Sequence, residues 1–277
     1  MKKIVASTLF GLGACLAPLP LSSACSTDWA STDFTLAAAG QDPTPVADSR
    51  PEVKAQLDQL AQHVDKRGKE DTQAKGAIDK LLQEFKKSGP KDREAIVKGL
   101  DRCFQAKRTD TSEGVPDNGL YVAAAVALGE MAPESVKTLM SWVGNKTHKK
   151  DVALQRMLIT RLGKTRAEEG RKLLLKLLDD PDSKIMSAAA EALGEFETAE
   201  LKVRKESFEE LLKVLMTTKN EFDADNNDPI ARERYETVAA PIVTSLKRLA
   251  KHEENDPQKW QTWWNKNKKE DWDSLGK

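Results

Sequence analysis

Side chains capable of chemistry are thinly spread in this 277-residue chain. The three histidines, His63, His148 and His252, each fall at a helix edge or loop, and their separation does not bring them to one metal. Cys103 lies between Leu100 and Phe104 on a helical face, the setting of a small buried hydrophobe, with no metal set or base partner in view. There is no Gly-x-Ser-x-Gly elbow, no phosphate-cradling glycine loop and no His-Glu-x-x-His helix. Carboxylates are common, but Glu206, Glu209 and Glu210 show their spacing, which is that of a solvated helix face. One stretch stands apart: Asp223, Asp225 and Asn227 offer oxygens at alternate positions, like the start of a calcium loop. Against that, Asp228 fills the position where such a loop needs glycine, and Arg234 stands where it needs a bidentate glutamate. The competing reading is a flexible solvated loop with Asp228 capping the next helix. No catalytic residue and no cofactor are expected. The alternative is an enzyme, or a cofactor- or metal-binding protein, that uses a groove residue without a recognisable motif.

Binding chemistry is concentrated at the C-terminal end. Trp260, Trp263 and Trp264 share one face of a helix that opens with Asp256-Pro257. They read either as an exposed anchor for a partner or as the closure of a last hydrophobic face. Trp272 can fold back on the same surface, and Trp142, beside Val143, reads as core between units.

The elements that must position these residues are helices. Leu173, Leu174, Leu177 and Leu178 form one buried stripe. Asp180-Pro181-Asp182-Ser183 then stops that helix and starts another, whose Ile185, Ala188, Ala189, Ala192, Leu193 and Phe196 recur at helical spacing. Pro116-Asp117 precedes Leu120, Ala123, Ala124, Ala127 and Leu128 in the same way, and the register returns from Asp151 to Leu162. A glycine follows each last leucine: Gly129, Gly163 and Gly194. Leu128, Leu162 and Leu193 lie 34 and 31 residues apart, the period of helical repeat arrays. Upstream, Val53–Val64, Ile78–Phe85 and Ile96–Phe104 give three more amphipathic helices. Downstream the spacing stretches to 53 residues, from Leu193 to Leu246. A polar loop from Thr217 to Asp228 accounts for that stretch, and Pro241 is expected to kink the helix after it.

Charge excludes one class of partner. Lys plus Arg and Asp plus Glu number 44 each, so no field exists to draw in nucleic acid. The N-terminus gives an address: Lys2-Lys3, then an uncharged apolar run to Leu21 broken by glycines and prolines, reads as a signal peptide over 1–24. Ser22-Ser23-Ala24 suits ordinary cleavage before Cys25. Leu12-Gly13-Ala14-Cys15 suits lipidation at Cys15, and Ala24-Cys25 is a weaker form of the same signal. Residues 25–50 read as a disordered linker and 51–277 as the folded domain. The expected location is outside the cytoplasm: periplasmic, secreted or lipid-anchored to the cell envelope. Any membrane contact runs through that N-terminal lipid.

LLKLLDDPDSKIMSAAAEALGEF at 174–196, with PDNGLYVAAAVALGEM at 116–131 and DVALQRMLITRLG at 151–163, resembles the HEAT-repeat proteins of exported bacterial type. The resemblance implies an all-α, right-handed α-α superhelix, an armadillo-like solenoid of about five helix pairs with a C-terminal capping helix. It also implies a scaffold that binds a protein or peptide on its concave surface. The family often places an arginine after the aliphatic residue that follows the turn, where this chain has Tyr121, Gln155 and Met186, so the polar ladder between units is not expected in its usual form. HEAT-like deoxyhypusine hydroxylases hold iron through several His-Glu pairs, whereas this chain has one, His252-Glu253. HEAT-like bilin lyases are also known, and no pigment site is identifiable.

Overall fold

A computed structural model describes residues 48–108 and 117–275. Among them are eleven α-helices and no strand. They pair in sequence: α1 (Pro51–Val64) with α2 (Asp71–Phe85), α3 (Pro90–Gln105) with α4 (Gly119–Gly129), and α5 (Val136–Trp142) with α6 (Val152–Lys164). Then come α7 (Glu168–Leu177) with α8 (Ser183–Leu193), and α9 (Leu201–Ala224) with α10 (Pro229–Ala250). The second helices α2, α4, α6, α8 and α10 form one row, each touching the next, and the first helices form the other. α11 (Pro257–Asn267) closes the first-helix row against α9. Five pairs and a terminal helix are the architecture that the repeat pattern predicts.

Local rules set the hairpins. Aspartate accepts from backbone N–H groups at the start of several second helices: Asp151 from Leu154, Asp182 from Lys184 and Asp228 from Ile230. Pro181 sits in the turn itself, ahead of the helix start at Ser183. In α8 nine of the eleven residues are buried, and only Lys184 and Glu191 are exposed. A single apolar core runs from Val53 to Trp272.

The repeated glycines are sockets. A Cβ on Gly129 would come within 2.9 Å of Arg161, one on Gly163 within 2.7 Å of Ala192, and one on Gly194 within 2.7 Å of Ser245. Arg161, Ala192 and Ser245 each stand immediately before the leucine of the following copy: Leu162, Leu193 and Leu246. Each glycine therefore receives the same position of its neighbour, letting consecutive second helices approach closely. Ser245 fixes the last contact by donating its hydroxyl to the Ala190 carbonyl at 2.7 Å.

Two expectations require correction. The polar stretch 217–228 is not a loop: α9 continues to Ala224, leaving only a short turn before α10. Lys219 pairs with Asp223 at 2.6 Å one turn on, and Phe222 stacks on Tyr235 of α10 at 5.3 Å, so both polar and aromatic contacts favour helix there. The linker also ends sooner than residue 50. Asp48 accepts from the N–H groups of Lys91 and Asp92, and the Asp92 carboxylate accepts from those of Ser49 and Arg50. α10 runs unbroken through Pro241. Residues 1–47, with Cys15, Cys25 and the signal-peptide reading, lie outside the described residues.

Candidate functional site

Each group with chemical potential has a packing partner. Cys103 is fully buried, and burial pushes its thiol up to about 12, far from the range of a nucleophile. His63 pairs with Glu70 at 2.7 Å, and His252 stacks on Trp263 at 5.3 Å. His148 is buried and donates its Nε2–H to the Phe104 carbonyl at 2.7 Å. The three imidazoles therefore sit in three separate neighbourhoods.

The calcium ligands suggested by sequence do not assemble into a site. Asp223 is on α9 and bound to Lys219, while Asp225 accepts from the Asn227 N–H at 3.0 Å and Asp228 caps α10. Among the described residues no three His, Cys, Asp or Glu side chains group so as to hold a metal ion.

The tryptophans form a cap. Of the three tryptophans that the sequence offered as an exposed anchor, Trp260 and Trp264 are buried at 0% and 8% exposure, and Trp272 is buried beside them at 2%. Phe208 of α9 lies at the centre, 5.2 Å from Trp264 and Trp272 and 5.5–5.6 Å from Trp263 and Trp260. Only Trp263 keeps an intermediate exposure. Arg204, with a side chain 1% exposed, ties the cap down: it donates to the Leu249 carbonyl at 3.2 Å and to Asp273 at 2.6 Å. Lys251 binds the other oxygen of Asp273 at 2.7 Å. These cations hold the Asp273 carboxyl below its usual range, the Lys251 hydrogen bond contributing most.

A second aromatic cluster was not legible in the sequence. Phe104 stacks on Trp142 at 5.2 Å, and Tyr121 lies 4.6 Å from His148. Beside these rings is a pocket of about 720 Å³ whose rim includes Arg108 and Lys150. Tyr121, one of the three residues standing where the resemblance implies an arginine, belongs to this cluster. Tyr121 donates its hydroxyl to the Ala106 carbonyl at 2.5 Å, and Gln155 donates to the carbonyls of Trp142 and His148 at 3.2 and 3.3 Å. Both fasten the connection inside their own helix pair, and Met186 is simply buried. A link between pairs comes instead from the helix starts, where the Asn118 amide donates to Asp151 at 2.8 Å.

The remaining accessible feature is the solvent side of the second-helix row. A central member of that row has neighbours on three sides: its own first helix and the second helices before and after it. Its least buried residues therefore share the fourth side, half-buried on α4 and exposed on α6 and α8. Val122 and Val126 lie there on α4, Arg156 and Lys164 on α6, and Lys184 and Glu191 on α8. Nothing there pairs a nucleophile with a base; the surface can bind but has no assembled reactive set. No described helix is long and apolar enough to cross a membrane.

In comparison with known proteins, no curated protein and no solved structure matches. A family model does: residues 145–221, from the α5–α6 connection through most of α9, match HEAT repeats. Residues 145–221 are thus similar to HEAT repeats, and they lie within an all-helical solenoid.

Proposed function

We propose that this protein is an exported HEAT-repeat scaffold that binds a protein or peptide partner and performs no catalysis of its own. The supporting observation is the solvent side of the second-helix row, a mixed surface of half-buried valines and free-standing charges with no reactive set behind it. Such a surface sets apolar area on α4 beside charges on α6 and α8, a mixture found in reversible protein interfaces. Export rests on Lys2-Lys3, the apolar run after them and the small residues before Cys25, with Cys15 or Cys25 as the site of a lipid anchor. Mass spectrometry of the mature N-terminus tests the anchor: an unmodified start at Cys25 or Ser26 removes it.

A photo-crosslinking residue placed at Arg156, with a second at the exposed Glu209 of α9 as the control, tests the binding surface in cells. The expected result is a discrete adduct from position 156 and none from position 209. Adducts from position 209 alone, or none from either position in folded protein, would count against the scaffold.

A further inference from the structure

The first helices of the pairs lie side by side, and the seams between them are closed differently. Between α3 and α5, Trp142 Nε1 donates to Asp101 at 2.7 Å, and Arg93 pairs with Glu134, just ahead of α5, at 3.4 Å. Between α7 and α9, the buried Arg171 reaches Glu206 at 3.0 Å and Ser207 at 3.3 Å. The seam between α1 and α3 is tied only where the helices begin, by Asp92 accepting from the N–H groups of Ser49 and Arg50, and no side-chain pair among the described residues bridges it along its length. It holds instead a groove of about 530 Å³.

The contacts at its ends set the register. The Arg50 N–H binds Asp92 where both helices begin, and Leu57 meets Gly99 further along, so the two helices run parallel. A Cβ on Gly99 would lie 2.4 Å from Leu57 Cδ2; without one, Leu57 sinks against α3 and the floor stays low. That floor is apolar, built from Leu57, Ala61, Val64, Ala95 and Gly99. Its edges carry opposite charge. Asp58 and Asp65 stand exposed on the α1 side, and Lys98 and Arg102 stand exposed on the α3 side. Lys54, at the N-terminal end of the α1 edge, is the exception in sign.

No ion pair among the described residues crosses the groove. Nearby pairs run elsewhere, from Arg50 to Glu84, His63 to Glu70 and Arg108 to Asp71. An occupant lying along the floor would bury the apolar strip and present each edge with its opposite charge. From Lys54 to Asp65 the groove is about 16 Å long at 1.5 Å per residue, roughly three helical turns. An amphipathic helix meets these demands: an apolar stripe below, bases on one flank and acids on the other.

We propose that the α1–α3 groove docks one amphipathic helix of a partner protein, its basic flank on Asp58 and Asp65 and its acidic flank on Lys98 and Arg102. The proposal rests on the scaffold reading and places one of the scaffold's binding surfaces on the row of first helices. Two labelled peptides of about 18 residues, or five turns, test it against the full chain by fluorescence anisotropy. One has a leucine stripe with lysines on one flank and glutamates on the other; the second has the same composition with the charges mixed between flanks.

The segregated peptide is expected to bind at least tenfold more tightly. Lys98→Glu combined with Arg102→Glu should weaken it about tenfold. Ala95→Trp, which fills the floor, should abolish binding with the thermal midpoint unchanged. Equal affinity for the two peptides, or binding undiminished in both variants, overturns the proposal. So does light scattering that shows a second copy of the chain occupying the groove. If neither peptide binds but the adduct at position 156 persists, the groove falls and the scaffold stands; if the segregated peptide binds selectively and no adduct forms, the groove stands.

Discussion

Replacing Gly163 with alanine adds one methyl group at the tightest point between α6 and α8. The added carbon would lie 2.7 Å from both the Cβ and the carbonyl oxygen of Ala192 and 2.8 Å from its Cα. Ordinary contact begins at 3.4 Å, so the two helices must part by roughly 0.7 Å at that level, and two of the three atoms in the way are backbone. Overpacking of this kind costs about 1–3 kcal/mol. Alanine recovers about 0.5–1 kcal/mol as a better helix former than glycine. The net expectation is a loss of about 0–2.5 kcal/mol in urea unfolding followed by far-UV circular dichroism. Gly76 is the internal control: it lies in α2, exposed, with nothing within 4 Å of an added Cβ. Gly76→Ala should therefore gain about 0.5–1 kcal/mol. Gly163→Ala rising in step with Gly76→Ala would refute the socket.

The cap and its latch yield further expectations. Trp260→Ala removes a fully buried ring and should cost about 3–5 kcal/mol, with Trp263→Ala costing clearly less; equal losses in thermal melts would contradict the packing order around Phe208. The depressed Asp273 carboxyl adds stability above the ordinary aspartate value of about 3.9, and that contribution disappears as pH falls through its lower folded value. Tryptophan fluorescence should then report loosening of the cap on acidification below about pH 4, and Asp273→Asn should shrink that transition. A variant with an unchanged acid transition would remove Asp273 from the latch.

The array was legible because its signals are local and repeated. Leu128, Leu162 and Leu193 mark their helices by period, and Asp182 and Asp228 mark helix starts by side-chain chemistry. Where sequence and structure part, long-range contacts decided the outcome. The residues from Thr217 to Ala224 are polar enough to suggest a loop, yet Lys219, Asp223 and the Phe222–Tyr235 stack keep them helical. Arg204 and Asp273 are 69 residues apart, and no periodicity joins them. Tyr121 and Gln155 could be recognised as departures from a family pattern, but that each fastens its own hairpin is visible only in three dimensions. The α1–α3 groove left no motif either, because its edges belong to two helices that each look like an ordinary solvated face.

The glycine sockets also set the step by which such a chain can be lengthened or shortened. Excising residues 130–163 would join Gly129 to Lys164 and offer the vacated socket to Ala192, a smaller residue than the Arg161 that fills it now. A cut of some other length would bring the wrong position to the socket and spoil the joint. Duplication or loss of coding sequence is therefore tolerated in whole units, 34 or 31 residues at a time here. The 53-residue interval before Leu246 keeps the same joint, with Ser245 in the Gly194 socket. Its extra residues lengthened a hairpin along its own axis and left the order of units untouched.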